Sequence, residues 1–134
     1  KENSIDCIVS SEVIEHIDNP TIFIQNMLKL LKKDGKLIIS TPYKENIKYE
    51  TCIHCNKKTP RNAHIHSFNE YNLKSLANNE ISDFKYYTFG NKALLILQFH
   101  NLSKYFPFEL WKITDKAVNK IINKKSHIIA VYTK

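Results

Sequence analysis

Two apolar runs of strand length bracket one amphipathic helix near the start of this chain, and that arrangement leaves few folds open. Ile5-Asp6-Cys7-Ile8-Val9-Ser10-Ser11 reads as a buried strand, and so does Lys36-Leu37-Ile38-Ile39-Ser40-Thr41-Pro42. Between them Asp18 or Asn19 can cap a helix, and Pro20 suits its first position, where a missing N–H costs nothing. Phe23, Ile24, Met27, Leu28 and Leu31 recur at spacings of three and four, which gives that helix a wide apolar face. Lys29, Lys32 and Lys33 are expected in its last turn, with Gly35 closing it. Strands joined through a helix of this length run parallel with a right-handed crossover, so the class is α/β. Val9 and the Leu37-Ile38-Ile39 run lack alternation, which predicts strands covered on both faces.

Directly after the first strand stands Glu12-Val13-Ile14-Glu15-His16. Open α/β sheets place their chemistry just past the carboxyl ends of parallel strands, so this acidic stretch is the first candidate site. If a helix starts near Ser11, Glu12, Glu15 and His16 fall at i, i+3 and i+4 and share one face. The plainer alternative makes Glu12 and Glu15 first-turn acids favoured by the helix dipole, with His16 a polar neighbour.

The rest of the chain is less periodic. From Tyr43 to Ala63 no apolar period survives, and a loop that long inside a compact domain is usually functional or held by something. Asn69 caps a short helix over Glu70 to Asn78, and Asp83 to Phe89 reads as a strand ending at Gly90. Residues 92–111 are apolar but irregular and read as a short helix followed by a substrate-covering loop, with Pro107 breaking the pattern. Thr114 is expected to cap a helix over Asp115 to Lys124, and His127 to Thr133 forms a last strand. His100 and His127 stand alone and read as structural.

Within residues 43–68, Cys52-Ile53-His54-Cys55 precedes His64-Ile65-His66. Two thiols and two imidazoles satisfy tetrahedral zinc, and Cys52, Cys55 and His64 are the candidate ligands. The alternative is two reduced thiols in an exposed loop. A zinc site here and a site at Glu12 to His16 compete for His64 and His66 unless each takes one and the loop folds back over the sheet. Cys7 is expected to be a small buried thiol in the first strand. An odd count of three cysteines fits a reducing compartment, so a cytoplasmic location is expected.

At 134 residues the chain suits one domain, and no apolar run approaches the ~20 residues of a membrane-spanning helix. The net charge of +7 is uneven, with residues 1–50 near neutral and the remainder basic. Nearly all of that charge is scattered Lys, with Arg61 the only arginine, which argues against specific nucleic-acid reading.

The order strand, Glu-x-x-Glu-His, helix, Lys-x-x-Gly-x-Leu-Ile-Ile-Ser-Thr-Pro resembles the second half of class I S-adenosylmethionine-dependent methyltransferases. The residues are Asp6 to His16 and Leu31 to Pro42, and His64-Ile65-His66-Ser67-Phe68 is similar to a further region of the same group. The likeness is nearest to the subgroup of ubiquinone-biosynthesis O-methyltransferases and small-RNA 2′-O-methyltransferases. It implies the C-terminal half of a Rossmann-like doubly wound sheet, with parallel strands and a final antiparallel strand. The Gly-rich cofactor turn of that family has no counterpart, since Gly35 and Gly90 are the only glycines. Residues 1–134 are therefore expected to be a partial domain, part of a larger methyltransferase or a separately encoded remnant, inactive alone and open to self-association along its free sheet edge.

The resemblance also implies roles for particular residues. Ser10, Ser11 and Glu12 would border the methionine end of S-adenosylmethionine, and His16 or His64 would act as general base. In the small-RNA enzymes the matching set holds a divalent metal, which would place Glu12, Glu15, His16 and His64 or His66 around it. Mixed oxygen and imidazole ligands suit Mn, Fe, Co or Zn at least as well as Mg. The implied acceptor is a hydroxyl or amine of a small molecule, lipid or sugar. The alternatives are RNA 2′-O-methylation and a metal-stabilised module without catalysis.

Overall fold

The computed structural model describes the backbone of residues 1–134 and every side chain except those of His100 and Ser103, so the expectation for His100 lies outside the described residues. The chain forms β1 (Ile5–Ser11), α1 (Pro20–Leu30), β2 (Leu31–Pro42), β3 (Tyr49–Thr51), β4 (Lys58–Pro60), α2 (Glu70–Leu76), β5 (Asp83–Asn91), α3 (Lys92–Ile96), α4 (His100–Ser103), α5 (Phe108–Ile121) and β6 (Lys125–Thr133). Short 3-10 turns occupy Ile14–His16 and Arg61–Ala63. The main sheet has the order β1-β2-β6-β5, and β3 and β4 make a separate hairpin.

β1 and β2 are parallel, as expected for a β-α-β unit, with Ser11 paired to Ser40 at their carboxyl ends. β6 runs the other way: the Lys134 N–H donates to the Gly35 carbonyl at 3.0 Å, which sets the end of β6 beside the start of β2. β5 is antiparallel to β6, since Ser82 bonds to Thr133 at one end and Lys92 to Lys124 at the other.

The core of the first compact unit, residues 1–87 and 128–134, joins alternate residues of the strands to two helix faces. Leu37 and Ile39 of β2 and Ile128, Ala130 and Tyr132 of β6 meet Ile24 and Leu28 of α1, Leu73 of α2, and Phe68. Truncating a core residue such as Ile24 to Ala costs about 2–5 kcal/mol. The helix starts follow their sequence signals. Asn19 Oδ1 accepts from the Ile22 N–H at 3.0 Å with Pro20 at the first position. Asn69 and Asn72 form a reciprocal capping box at α2.

Four expectations need correction. β1 is an edge strand with mostly outward residues; Val9 is 67% exposed and Cys7 is exposed, because among the described residues none covers that side. β2 alternates between buried and open positions and is not covered on both faces. α1 stops at Leu30, and Lys32 to Gly35 form a bulge in β2 against β1, with Asp34 in the left-handed region at φ 64°. Gly35 therefore does not cap the helix. It is needed because a Cβ there would stand 2.8 Å from the Lys32 carbonyl oxygen.

Residues 88–127 make the second compact unit. α5 begins at Phe108, seven residues before the expected start, because Pro107 leads into the helix and does not break it. Thr114 lies inside α5, its hydroxyl donating to the Leu110 carbonyl at 2.9 Å. Asn91 is buried and organises this unit. Its Oδ1 caps α3 through the Ala93 N–H at 2.9 Å, and its Nδ2 donates to Asn119 Oδ1 at 2.9 Å and to the Ile122 carbonyl at 2.7 Å. Asp115 Oδ2 accepts from the Gly90 N–H at 3.2 Å.

Candidate active site at the carboxyl ends of two parallel strands

The chain leaves β1 through Glu12, whose φ of 52° lies in the left-handed region. A non-glycine residue there costs of order 1–3 kcal/mol and persists where its surroundings hold it. The Glu12 N–H donates to the Ser40 carbonyl at 3.0 Å, and the Ser40 hydroxyl donates to Glu12 Oε1 at 2.8 Å. Ser11 and Ser40 hydroxyls bond at 2.8 Å. The reversal breaks the helical spacing expected from Ser11, so Glu12 faces Ser40, while Glu15 and His16 emerge from the following 3-10 turn.

Glu15 is sealed inside, only 1% exposed. Its Oε2 accepts the Thr41 hydroxyl at 3.0 Å, and its Oε1 has no hydrogen-bond partner. A buried carboxylate oxygen without a donor is costly unless some other group meets it. His16 Nε2 stands 4.0 Å away from it.

The loop does fold back over this end of the sheet. The N–H groups of Ile65 and His66 donate to the Glu15 carbonyl at 2.9 and 3.3 Å, and the Lys44 N–H donates to the Phe68 carbonyl at 2.8 Å. His64 lands against His16, with ring centroids 4.8 Å apart and edge to face. His64 Nδ1 donates to Glu45 Oε2 at 2.6 Å, and His16 Nδ1 donates to the Ala63 carbonyl at 3.1 Å. Carboxylate and carbonyl oxygens can only accept. Each neutral imidazole therefore carries its proton on Nδ1, which leaves Nε2 as a lone-pair nitrogen.

Glu15, His16 and His64 are, among the described residues, the group whose ligand atoms lie within 4.8 Å of one another. The set differs from the expected one in lacking Glu12, which points to Ser40; of the two histidines left open it takes His64, while His66 has its own Nε2 buried without a partner beside the Phe68 ring. The expected grouping of His64 with Cys52 and Cys55 does not form, because Glu45 and His16 hold the His64 ring. Cys52 and Cys55 occupy the β3–β4 turn, where the N–H groups of Cys55 and His54 and the Cys55 thiol hold the Cys52 thiol below its usual range. Next to the site, Tyr43 donates to Glu70 Oε2 at 2.8 Å, and its phenol is shifted up chiefly by burial. Glu45 and Thr41 were not anticipated. The sequence offers no period linking Glu45 to His64, though a carboxylate at the mouth of an unpatterned loop containing paired histidines is a usable signal.

Residues 1–80 match a family described as methyltransferase domain. Two curated relatives are mitochondrial ubiquinone biosynthesis O-methyltransferases. That of Dictyostelium discoideum is 40% identical over 52 residues, covering 39% of this chain and 16% of that protein. That of Rattus norvegicus is 43% identical over 44 residues, covering 33% and 13%. The match thus spans about one sixth or less of those relatives' length. Among solved structures, the chain is similar to phosphoethanolamine N-methyltransferase 2 of Haemonchus contortus in complex with S-adenosyl-L-methionine, with a TM-score of 0.60 and 14% identity over 100% of this chain and 34% of that one. It is equally similar to an S-adenosylmethionine-dependent methyltransferase of Archaeoglobus fulgidus, with a TM-score of 0.60 and 14% identity over 99% and 61%. This chain belongs to the methyltransferase-domain family, with the Rossmann-like fold of class I S-adenosylmethionine-dependent methyltransferases.

Proposed function

We propose that this chain forms the acceptor side of a methyl-transfer site that acts on a hydroxyl group of a small aromatic or lipid-like molecule. One observation carries the reading: the Glu45–His64 pair, set beside His16 at the carboxyl ends of β1 and β2 with its Nε2 lone pair available. A carboxylate on Nδ1 fixes the tautomer and stabilises the imidazolium, so His64 Nε2 can take the acceptor proton as the hydroxyl oxygen attacks. The oxygen relatives favour a hydroxyl over an amine, since both curated matches are O-methyltransferases.

S-adenosylmethionine, when bound, supplies the electrophilic methyl carbon. Ser11 and Glu12 fit its methionine end in chemical type: both are exposed at the strand end, and the Glu12 carboxylate can meet an ammonium group, with Ser10 behind them. The left-handed backbone at Glu12 is a strained feature of the kind found at ligand clamps. His64 removes the proton, Glu45 keeps that ring oriented, and His16 walls the acceptor position. Most of the rate gain from such a site comes from positioning.

A second reading has its own observation, the partnerless Glu15 Oε1 facing His16 Nε2. Glu15, His16 and His64 would hold a divalent ion such as Zn or Mn there, which would lower the pKa of an acceptor hydroxyl. The orphaned buried oxygen and two lone-pair nitrogens fit that role.

The test is methyl transfer from radiolabelled S-adenosylmethionine by the full gene-encoded protein carrying this chain. The acceptors are catechol, phosphoethanolamine and a short RNA, each with and without a chelator. Chelator-insensitive methylation of catechol supports the leading reading, and chelator-sensitive methylation supports the second. Labelling of RNA or of the amine instead overturns the acceptor class, and no transfer to any acceptor, with no cofactor binding, favours a non-catalytic module.

A further inference from the structure

The second compact unit carries polar residues on the inner side of α5 and apolar ones on the outer side. Inward, Asp115 is buried and its Oδ2 accepts from the Gly90 N–H at 3.2 Å. Asn119 Nδ2 donates to Asp115 Oδ1 at 3.0 Å, and Asn119 Oδ1 accepts from Asn91 at 2.9 Å. Outward, Leu110, Ile113, Ala117 and Ile121 recur at spacings of three and four and share one stripe. All four are exposed, Ile113 by 64% and Ile121 by 84%. A surface helix ordinarily turns such a stripe to the core. Among the described residues, half of the exposed large apolar side chains fall within residues 95–122, so the patch is regional and marks a contact surface.

Lys116 and Lys120 run along one border of the stripe. With Thr88 of β5 and Lys125 of β6 they line a cleft of about 290 Å³. Asp115 and Asn119 line it too, but the Asp115 oxygens are taken by the Gly90 N–H and the Asn119 amide. Among the described residues none of the three lysines is ion-paired. Residues 88–127 hold seven lysines against Glu109 and Asp115, and no arginine. We propose that the outer side of α5 docks on the surface of an anionic phospholipid bilayer. Leu110, Ile113, Ala117 and Ile121 enter the boundary between headgroups and chains, and the cleft of Lys116, Lys120 and Lys125 takes a lipid phosphate. An aliphatic stripe bordered by lysine is the pattern of a helix lying in a membrane interface. Protein hot spots favour Trp, Tyr and Arg, and a nucleic acid offers isoleucine no apolar phase. No described helix is long and apolar enough to cross a membrane, so α5 lies along the surface.

The proposal stands independently of the methyl-transfer reading. Its test is flotation of the full protein carrying this chain with two kinds of vesicle, phosphatidylcholine alone and phosphatidylcholine mixed with phosphatidylglycerol. The protein is expected to float with the mixed vesicles and to stay behind with phosphatidylcholine alone. Ile113→Ser/Ile121→Ser and Lys116→Glu/Lys120→Glu should each weaken partitioning by at least about tenfold. All four side chains are exposed, so the circular dichroism spectrum of both variants should match the wild type. Lys57→Glu/Lys58→Glu makes the same charge change in the β3–β4 hairpin and should float as the wild type does. Inorganic phosphate at the concentration of lipid phosphate should release no protein. Absent flotation, equal flotation with both vesicles, or full binding by the Ile113 and Ile121 variant would each overturn the proposal. So would an equal loss in the Lys57 and Lys58 variant, or release by inorganic phosphate, which would make the cleft a free-anion site. A dimer in solution that Ile113→Ser/Ile121→Ser dissolves would assign the stripe to a second copy and overturn it too.

Discussion

Thr41 donates its hydroxyl to Glu15 Oε2 at 3.0 Å, both side chains are buried, and the other carboxylate oxygen of Glu15 faces no donor. The β2 strand thus anchors a carboxylate that the β1 exit loop delivers. Thr41→Val, nearly isosteric, removes that hydrogen bond to the buried carboxylate. It is expected to destabilise the protein by about 1–3 kcal/mol, the cost of leaving a buried polar group unsatisfied, read from the midpoint of urea unfolding. An unchanged midpoint would mean that Glu15 finds another donor.

Glu45 and His64 bond at 2.6 Å, and the carboxylate holds that imidazole's proton on Nδ1. Glu45→Gln keeps the size but loses the charge. It should lower the methyl-transfer kcat by roughly 10²–10⁴, the range general-base assistance contributes, with KM for the acceptor little changed. His64→Ala should fall to the same level, and the double variant should lose no more, because the two act as one unit.

Tyr132 is buried between β6 and α2, its hydroxyl donating to the Leu73 carbonyl at 2.9 Å. Burial raises its pKa above the ordinary value of 10.0, so the folded state disfavours the phenolate. The unfolded chain ionises first as pH rises, and the folded state then holds the extra proton. The Tyr132 contribution is therefore complete below pH ~10 and is lost as pH climbs above it. Unfolding midpoints between pH 8 and 11 should fall more steeply for the wild type than for Tyr132→Phe. At neutral pH the variant should be weaker by about 1 kcal/mol from the lost hydrogen bond.

Gly90 has a φ of 69°, and a Cβ there would overlap Ser126 Oγ. Gly90→Ala should destabilise residues 88–127 by about 1–3 kcal/mol through left-handed strain alone, with the Ser126 clash added. Ser126→Ala in the same chain should recover only the clash. Hydrogen exchange of the α5 amides separates the two contributions.

Much of this fold is written locally. The Asn19-Pro20 start, the Asn69 cap and the alternation of Ile128, Ala130 and Tyr132 each act within a few residues, and each is found where the sequence places it. What the sequence hides depends on distant neighbours. Cys7 and Val9 look like core residues, yet their burial depends on what lies beside β1. The Glu12 reversal is held by Ser40, 28 positions away, and it breaks a helical spacing that is otherwise well formed. The site follows the same division. Glu15, His16 and His64 could be named from chemistry and resemblance, whereas the choice of His64 over His66, and the role of Glu45, required the loop's path back to the Glu15 carbonyl. Pro107 was ambiguous in a different way: the same residue ends helices and begins them.

Glu45, His64 and His16 are the proposed acceptor side of a methyl-transfer site. The most direct measurement is single-turnover transfer of radiolabelled methyl from S-adenosylmethionine to catechol, comparing wild type with Glu45→Gln and His64→Ala at saturating cofactor and acceptor. Robust transfer by the wild type is expected, with a drop of at least about a hundredfold in each variant and cofactor affinity unchanged. Variants that transfer methyl as fast as the wild type would contradict it.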